Sequence, residues 1–171
     1  IPRFVLSSSL KFISEIALYI EQRKARSCLK STLKKLQIEK SLSKDILHHH
    51  LSSGTLSSIR IAKQIVDIAN KVDAKFVITT YEGYAWERLV YCFIRRMSTN
   101  IKCLGYQHAA VFKHQHAIKR ELIKEFNPDV ILTSGIVAKD ILDKSQLKGG
   151  RVVCLGSPRY MEANTTTNSL Q

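Results

Sequence analysis

Residues 75–111 read KFVITTYEGYAWERLVYCFIRRMSTNIKCLGYQHAAV, and this stretch decides the fold. KFVITT (75–80) is apolar and β-branched and is followed by turn-type residues, which predicts a short buried strand. YEG supplies the turn. From about Tyr84 to Met97, the residues Trp86, Leu89, Val90, Phe93, Ile94 and Met97 recur at the spacing of one helix face. Arg95 and Arg96 sit in the last turn of that helix, where cations suit its dipole. IKCLGY (101–106) reads as a second strand, and QHAAV leads into a loop.

The pattern continues downstream. A helix from about Ala117 to Glu125 is stopped by NPD. DVILTS (129–134) is a third strand, Gly135 opens a helix that runs to Lys144, and RVVCLG (151–156) is a fourth strand. Apolar strands separated by helical connections predict an α/β domain, with a Rossmann-like parallel sheet carrying helices on both faces. Upstream, Ile61, Ile65, Ile68 and Val72 form the stripe of a helix over 55–72, with Thr55, Ser57 or Ser58 as N-cap. Residues 8–40 read as helical, with Leu10, Ile13, Ala17 and Ile20 as the buried stripe. The expected organisation is a helical segment over 1–54, the α/β domain over 55–160 and a polar tail or linker over 161–171.

The bulk properties agree with a globular domain. The chain has 171 residues, 44% of them hydrophobic, enough for one sizeable core. Its net charge of +13 favours polyanionic partners such as an anionic membrane surface, a phosphorylated substrate or nucleic acid. No polybasic block, zinc-finger spacing or RNA-recognition motif is present, so nucleic acid is the less favoured partner. The four cysteines show no C-x-x-C spacing, which fits a reduced, cytoplasmic compartment, and Cys103 and Cys154 fall in apolar strand-like runs. The start at Ile1 and the polar end ANTTTNSLQ give the expectation of a fragment of a longer protein.

In parallel sheets, ligands bind at the carboxyl ends of the strands. Here those ends read TTYEGY, GYQHAA, TSGIV and LGSPR. Glu82 and His108 are the candidate catalytic residues. A carboxylate or an imidazole just past a strand is placed to act as a general base, although Glu82 could equally cap the following helix. Glu87, one turn on, is expected on the helix surface beside charges or solvent. Gln107, Ser134, Gly135, Ser157 and Arg159 are candidate substrate contacts: backbone N–H groups at a helix start suit an anion or hydroxyl, and an arginine can grip a phosphate with two bonds. His108, His114 and His116 lack a nearby carboxylate or cysteine, and His48, His49 and His50 are consecutive and so point apart on a helix. The first set lacks a residue to complete a site, the second has the wrong ligand spacing, and no metal is expected.

Residues 75–160, with YEGYAWER, QHAAV, PDVILTSG and RVVCLGSPRY, resemble the acceptor-side half of GT-B-type transferases that build bacterial surface polysaccharide, the CDP-glycerol glycerophosphotransferases and related glycosyltransferases among them. YEGYAWER is also similar to the strand–helix turn of Kdo transferases. The resemblance implies that Glu82 or His108 serves as acceptor base, with Gly156, Pro158 and Arg159 forming the hinge-side turn. It departs where Ala109, not Gly, follows His108. It further implies no cofactor or metal, a nucleotide-sugar or CDP-glycerol-type donor held by a second domain, and a polysaccharide or lipid-linked acceptor. The implied location is the cytoplasm, peripheral at the inner membrane face, and the domain alone is not expected to catalyse transfer. The alternative reading is a non-catalytic α/β binding module, and after it a basic nucleic-acid-binding domain.

Overall fold

The computed structural model describes residues 3–97, 100–112, 114–120, 122–145 and 150–156. The chain forms two compact units, Ile1–Ile65 and Val66–Gln171. Their division falls inside a helix, not at residue 54. The first part of that helix is tied into the N-terminal unit by Arg60 to Glu15 at 2.7 Å and Lys63 to Glu21 at 3.1 Å.

The N-terminal unit holds α1 (Phe12–Lys35), α2 (Lys40–His50) and the start of α3 (Ser53–Lys71). Residues 8–40 are thus helical over α1 and the start of α2, with a break between them. Gln37 adopts a left-handed conformation (φ 53°) in the short turn after α1, a shape that L residues take only in such turns. The N-cap oxygen of α3 comes from Ser52, which accepts the Thr55 N–H at 3.2 Å, instead of from Thr55, Ser57 or Ser58. The expected apolar stripe of α1 is also not its buried face. Leu18, Gln22 and Leu33 are buried, whereas Ile13 is 81% exposed and Ile16, Ala17 and Ile20 are exposed with it. Periodicity reveals an apolar face, but the burial goes to the side on which Glu15 and Glu21 reach α3.

The second unit is α/β, a Rossmann-like half-domain. Its sheet comprises β1 (Phe76–Thr80), β2 (Lys102–Gln107), β3 (Val130–Thr133) and β4 (Arg151–Cys154), all parallel and in the order β1-β2-β3-β4. Flanking helices are α4 (Ala85–Met97) and α6 (Ile136–Lys144). Every crossover steps in the same direction, and right-handed crossovers of that kind place their helices on one face. Val77, Thr79, Cys103, Ile131 and Thr133 are accordingly buried. On the opposite face Phe76 and Ile78 are 62% and 61% exposed, so KFVITT is buried on one side only and the expected cover on both faces is not seen among the described residues.

Two further differences bear on the site. The helix expected over 117–125 is a four-residue α5 (His116–Lys119) and a separate 3-10 turn at Lys124–Phe126. The buried sector of α4 is rotated from the predicted stripe: it comprises Glu87, Arg88, Val90, Tyr91, Cys92 and Ile94, while Met97 is exposed. Tyr91 anchors that sector, its hydroxyl lying 2.6 Å from the Thr79 hydroxyl in the core.

Cys92 and Cys103 are buried, whereas Cys28 and Cys154 are exposed, the last despite its strand setting. Burial pushes the Cys103 thiol up to about 11. A thiol reagent applied to the native protein is expected to modify Cys28 and Cys154 and to reach Cys92 and Cys103 only after denaturation. Peptide mass mapping reads the outcome, and early labelling of Cys103 would contradict the placement of β2.

Candidate functional site

The site is the carboxyl edge of β1, β2 and β3. Thr80 pairs with Tyr106 and Tyr106 with Leu132, which sets the strand ends side by side. The ladder runs on past the strands, with the Tyr81 N–H donating to Tyr106 O at 2.9 Å and the Ser134 N–H to Gln107 O at 3.0 Å. Glu82 and His108 thus follow their strands in register, on neighbouring turns of one edge. Ser134 and Gly135 occupy the same edge after β3, and the Ser134 hydroxyl approaches His108 O at 3.5 Å.

The turn after β1 is built around Glu87. Its carboxylate accepts the backbone N–H groups of Glu82 at 3.0 Å, Gly83 at 2.8 Å and Tyr84 at 2.9 Å. The Tyr84 N–H stands at the N-cap of α4, where a helix leaves its donors unpaired, and the other two belong to the turn before it. The surface position expected for Glu87 is therefore corrected: the residue is 0% exposed and caps the helix, the role weighed for Glu82. Burial pushes its pKa above the usual carboxylate range, against the lowering effect of the three N–H groups.

Arg88, beside it, is the residue that sequence reasoning missed. Its guanidinium donates to Asn127 Oδ1 at 2.8 Å and to Ala117 O at 2.8 Å, and it lies 5.6 Å from the Tyr81 ring centroid. It ties the connection between β2 and β3 down onto the β1 turn. Gly83 meets that connection directly, since a Cβ there would lie 2.3 Å from Ala117 O. The available signal is an arginine beside Glu87 in the first turn of a helix, followed by the apolar Leu89 and Val90.

Against this bonded background, Glu82 and His108 stand out. Among the described residues the half-buried Glu82 carboxylate has no hydrogen-bond or ion-pair partner. The exposed His108 imidazole stacks on the Tyr106 ring (centroids 6.1 Å apart, 23° between planes) and leaves its nitrogens unbonded. Tyr106 lies on the sheet face of the exposed Ile78, so the stack orients His108 toward the open side. Gln107 differs from its expected role as a direct contact: it is buried and its amide donates to Ala109 O, so it shapes the loop from beneath. Gly135 begins α6, whose N-terminus has no side-chain cap, in contrast to α4. Gly156 is left-handed (φ 87°), while Ser157, Pro158 and Arg159 lie outside the described residues.

The rim thus offers a free carboxylate, a free imidazole and an open helix start. Strand order never reverses within this sheet, so its own strands build no crevice of the doubly wound kind. Among the described residues no cluster of three or more His, Cys, Asp or Glu is arranged to hold a metal ion. Comparison with protein-family models, curated proteins and solved structures returns no match for this chain.

Proposed function

We propose that Val66–Gln171 is the acceptor-side half of a GT-B-like transferase of cell-surface polysaccharide synthesis. One observation carries the reading: Glu82 and His108 lie in register on one sheet edge and, among the described residues, their side chains make no hydrogen bond or ion pair, whereas the neighbouring Glu87, Arg88 and Gln107 are hydrogen-bonded. On this reading a second α/β domain holds the nucleotide-activated donor and forms the other wall. Glu82 or His108 takes the proton from an acceptor hydroxyl. The hydroxyl oxygen then bonds to the anomeric carbon of the donor, or to phosphorus in a glycerophosphate donor, and the nucleotide phosphate leaves with the electron pair of the broken bond. The open start of α6 at Gly135 offers N–H groups to an anionic or hydroxyl group of the ligand.

Peripheral membrane association belongs to the same proposal. The outward face of α1 presents the exposed Phe12, Ile13, Ile16 and Ile20 and then the exposed Arg23, Lys24 and Lys35. Apolar residues followed by cations suit the surface of an anionic bilayer. Among the described residues no helix is long and apolar enough to cross a membrane.

The test is transfer of labelled donor by the protein assembled with its donor-binding half. Glu82→Gln and His108→Ala are compared with wild type, and loss of the base is expected to lower kcat by about 10²–10⁴-fold with donor KM little changed. Full activity in both variants would sink the catalytic reading. It would leave a non-catalytic binding module, which the unreversed strand order also accommodates.

A further inference from the structure

A second feature lies wholly within the N-terminal unit and does not depend on the transfer reaction. α1 and α2 enclose a groove of about 970 Å³, at the upper end of ordinary small-molecule sites. Its floor is apolar: Leu33 is buried, and Ile38, Leu47 and Leu51 are half-buried. Its rim is cationic, made by Arg26, Lys30 and Lys34 of α1 with Lys40 and Lys44 of α2. Among the described residues no Asp or Glu lines it.

The charges are not neutralised from within. Glu15 and Glu21, the two acidic residues of α1, are held by Arg60 and Lys63 of α3. The Glu39 carboxylate accepts the Ser41 hydroxyl at 2.6 Å, and Asp45 is not among the lining residues. Among the described residues none of the five rim cations forms an ion pair. Arg26, Lys30 and Lys34 recur at i, i+4, as do Lys40 and Lys44, and like charges at that spacing destabilise a helix. The Nε of Arg26 is buried without a hydrogen-bond partner, although such atoms are nearly always satisfied. An anion in the groove would relieve both conditions.

The apolar floor selects among anions. Inorganic phosphate or a nucleic-acid backbone would leave the leucines wet, and a neutral lipid would leave the cations unpaired. An amphiphile meets both, with its hydrocarbon chain on Leu33, Leu47 and Leu51 and its phosphate among the rim lysines. We infer that the α1–α2 groove is a binding site for a lipid phosphate.

The probe is a short-chain phosphatidic acid kept below its micelle concentration, titrated calorimetrically into the full chain, with inorganic phosphate as competitor. Wild type is expected to bind the monomeric lipid, and phosphate is expected to compete poorly. The double variant Lys30→Glu/Lys34→Glu changes two exposed residues and is expected to weaken binding by about tenfold or more. Leu47→Ser, with helicity checked by circular dichroism, is expected to weaken it by a similar factor, and Lys71→Glu, outside the groove, to leave it unchanged. No binding of the monomer would overturn the proposal, as would full affinity in the double lysine variant. Competition by inorganic phosphate as strong as by the lipid would reduce the groove to an anion site. Binding to anionic vesicles that needs the lysines but ignores Leu47 would reduce it to a charged surface.

Discussion

Replacing Glu87 by Ala is expected to lower the stability of the α/β unit by about 3 kcal/mol, since it removes a buried carboxylate and leaves several N–H groups without their acceptor. The carboxylate binds three consecutive N–H groups at Glu82, Gly83 and Tyr84 and lies 3.4 Å from the Thr80 hydroxyl. Among the described residues no other side chain accepts these three N–H groups, so the loss is not shared. Chemical denaturation reads the effect, and a change below about 0.5 kcal/mol would mean that the carboxylate does not hold the turn. Glu87→Gln keeps the shape and one acceptor and should cost less. The two forms should also differ in pH dependence. Burial raises the folded pKa of Glu87, so from about pH 4.3, the ordinary value for an unfolded glutamate, the native state holds its proton longer than the unfolded chain. The contribution of that proton is present below this pH and is lost as pH rises through the folded value. Wild type should therefore lose stability relative to Glu87→Gln over that window, and parallel pH profiles would contradict the placement.

Gly83→Ala is expected to be at least as damaging, costing about 3 kcal/mol or more, because a left-handed backbone and a steric clash act together. Gly83 has φ 86°, and an added Cβ would lie 2.3 Å from Ala117 O and 2.6 Å from Ile118 N. The atoms in the way are backbone, which cannot swing aside as a side chain end does. The connection carrying α5 must then lift from the β1 turn, breaking the Arg88 bond to Ala117 O. Gly135→Ala is the control: its backbone is extended and an added Cβ meets nothing within 4 Å, so only the preference of an N-cap for Gly over Ala is lost, about 1 kcal/mol. Limited proteolysis across residues 109–120 should accelerate in Gly83→Ala and not in Gly135→Ala. Equal stability of the two variants would show that α5 does not press on Gly83.

Both substitutions bear on the rim. Glu82 stands in the turn that Glu87 and Gly83 shape, and Arg88 fastens the β2–β3 connection to that turn. Loss of activity in Glu82→Gln with stability retained is therefore distinguishable from loss in Glu87→Ala, where the turn itself gives way.

The strands were legible in the sequence because each is a short apolar run closed by turn residues, and such information is local. Placing Glu82, His108 and Ser134 on one edge followed from the same runs, since parallel strands present the same end. The helix faces were less legible. In α4 the spacing of Trp86, Leu89 and Phe93 pointed one way, whereas the buried sector includes Glu87 and Arg88, whose charges are satisfied by backbone groups and Asn127 far along the chain. In α1 the apolar spacing of Ile13, Ala17 and Ile20 predicts a buried stripe, and these residues lie outside the core.

Sequence by itself determined the four strands, the helices α3, α4 and α6 and the edge on which the candidate residues sit, because backbone propensity and turn chemistry act over a few residues. Only the tertiary structure decided which polar groups are spent internally and which remain free. That outcome depends on donors and acceptors brought together across tens of residues: Glu87 is consumed by the turn and Glu82 is left available, and the lysines of α1 and α2 converge on one apolar groove.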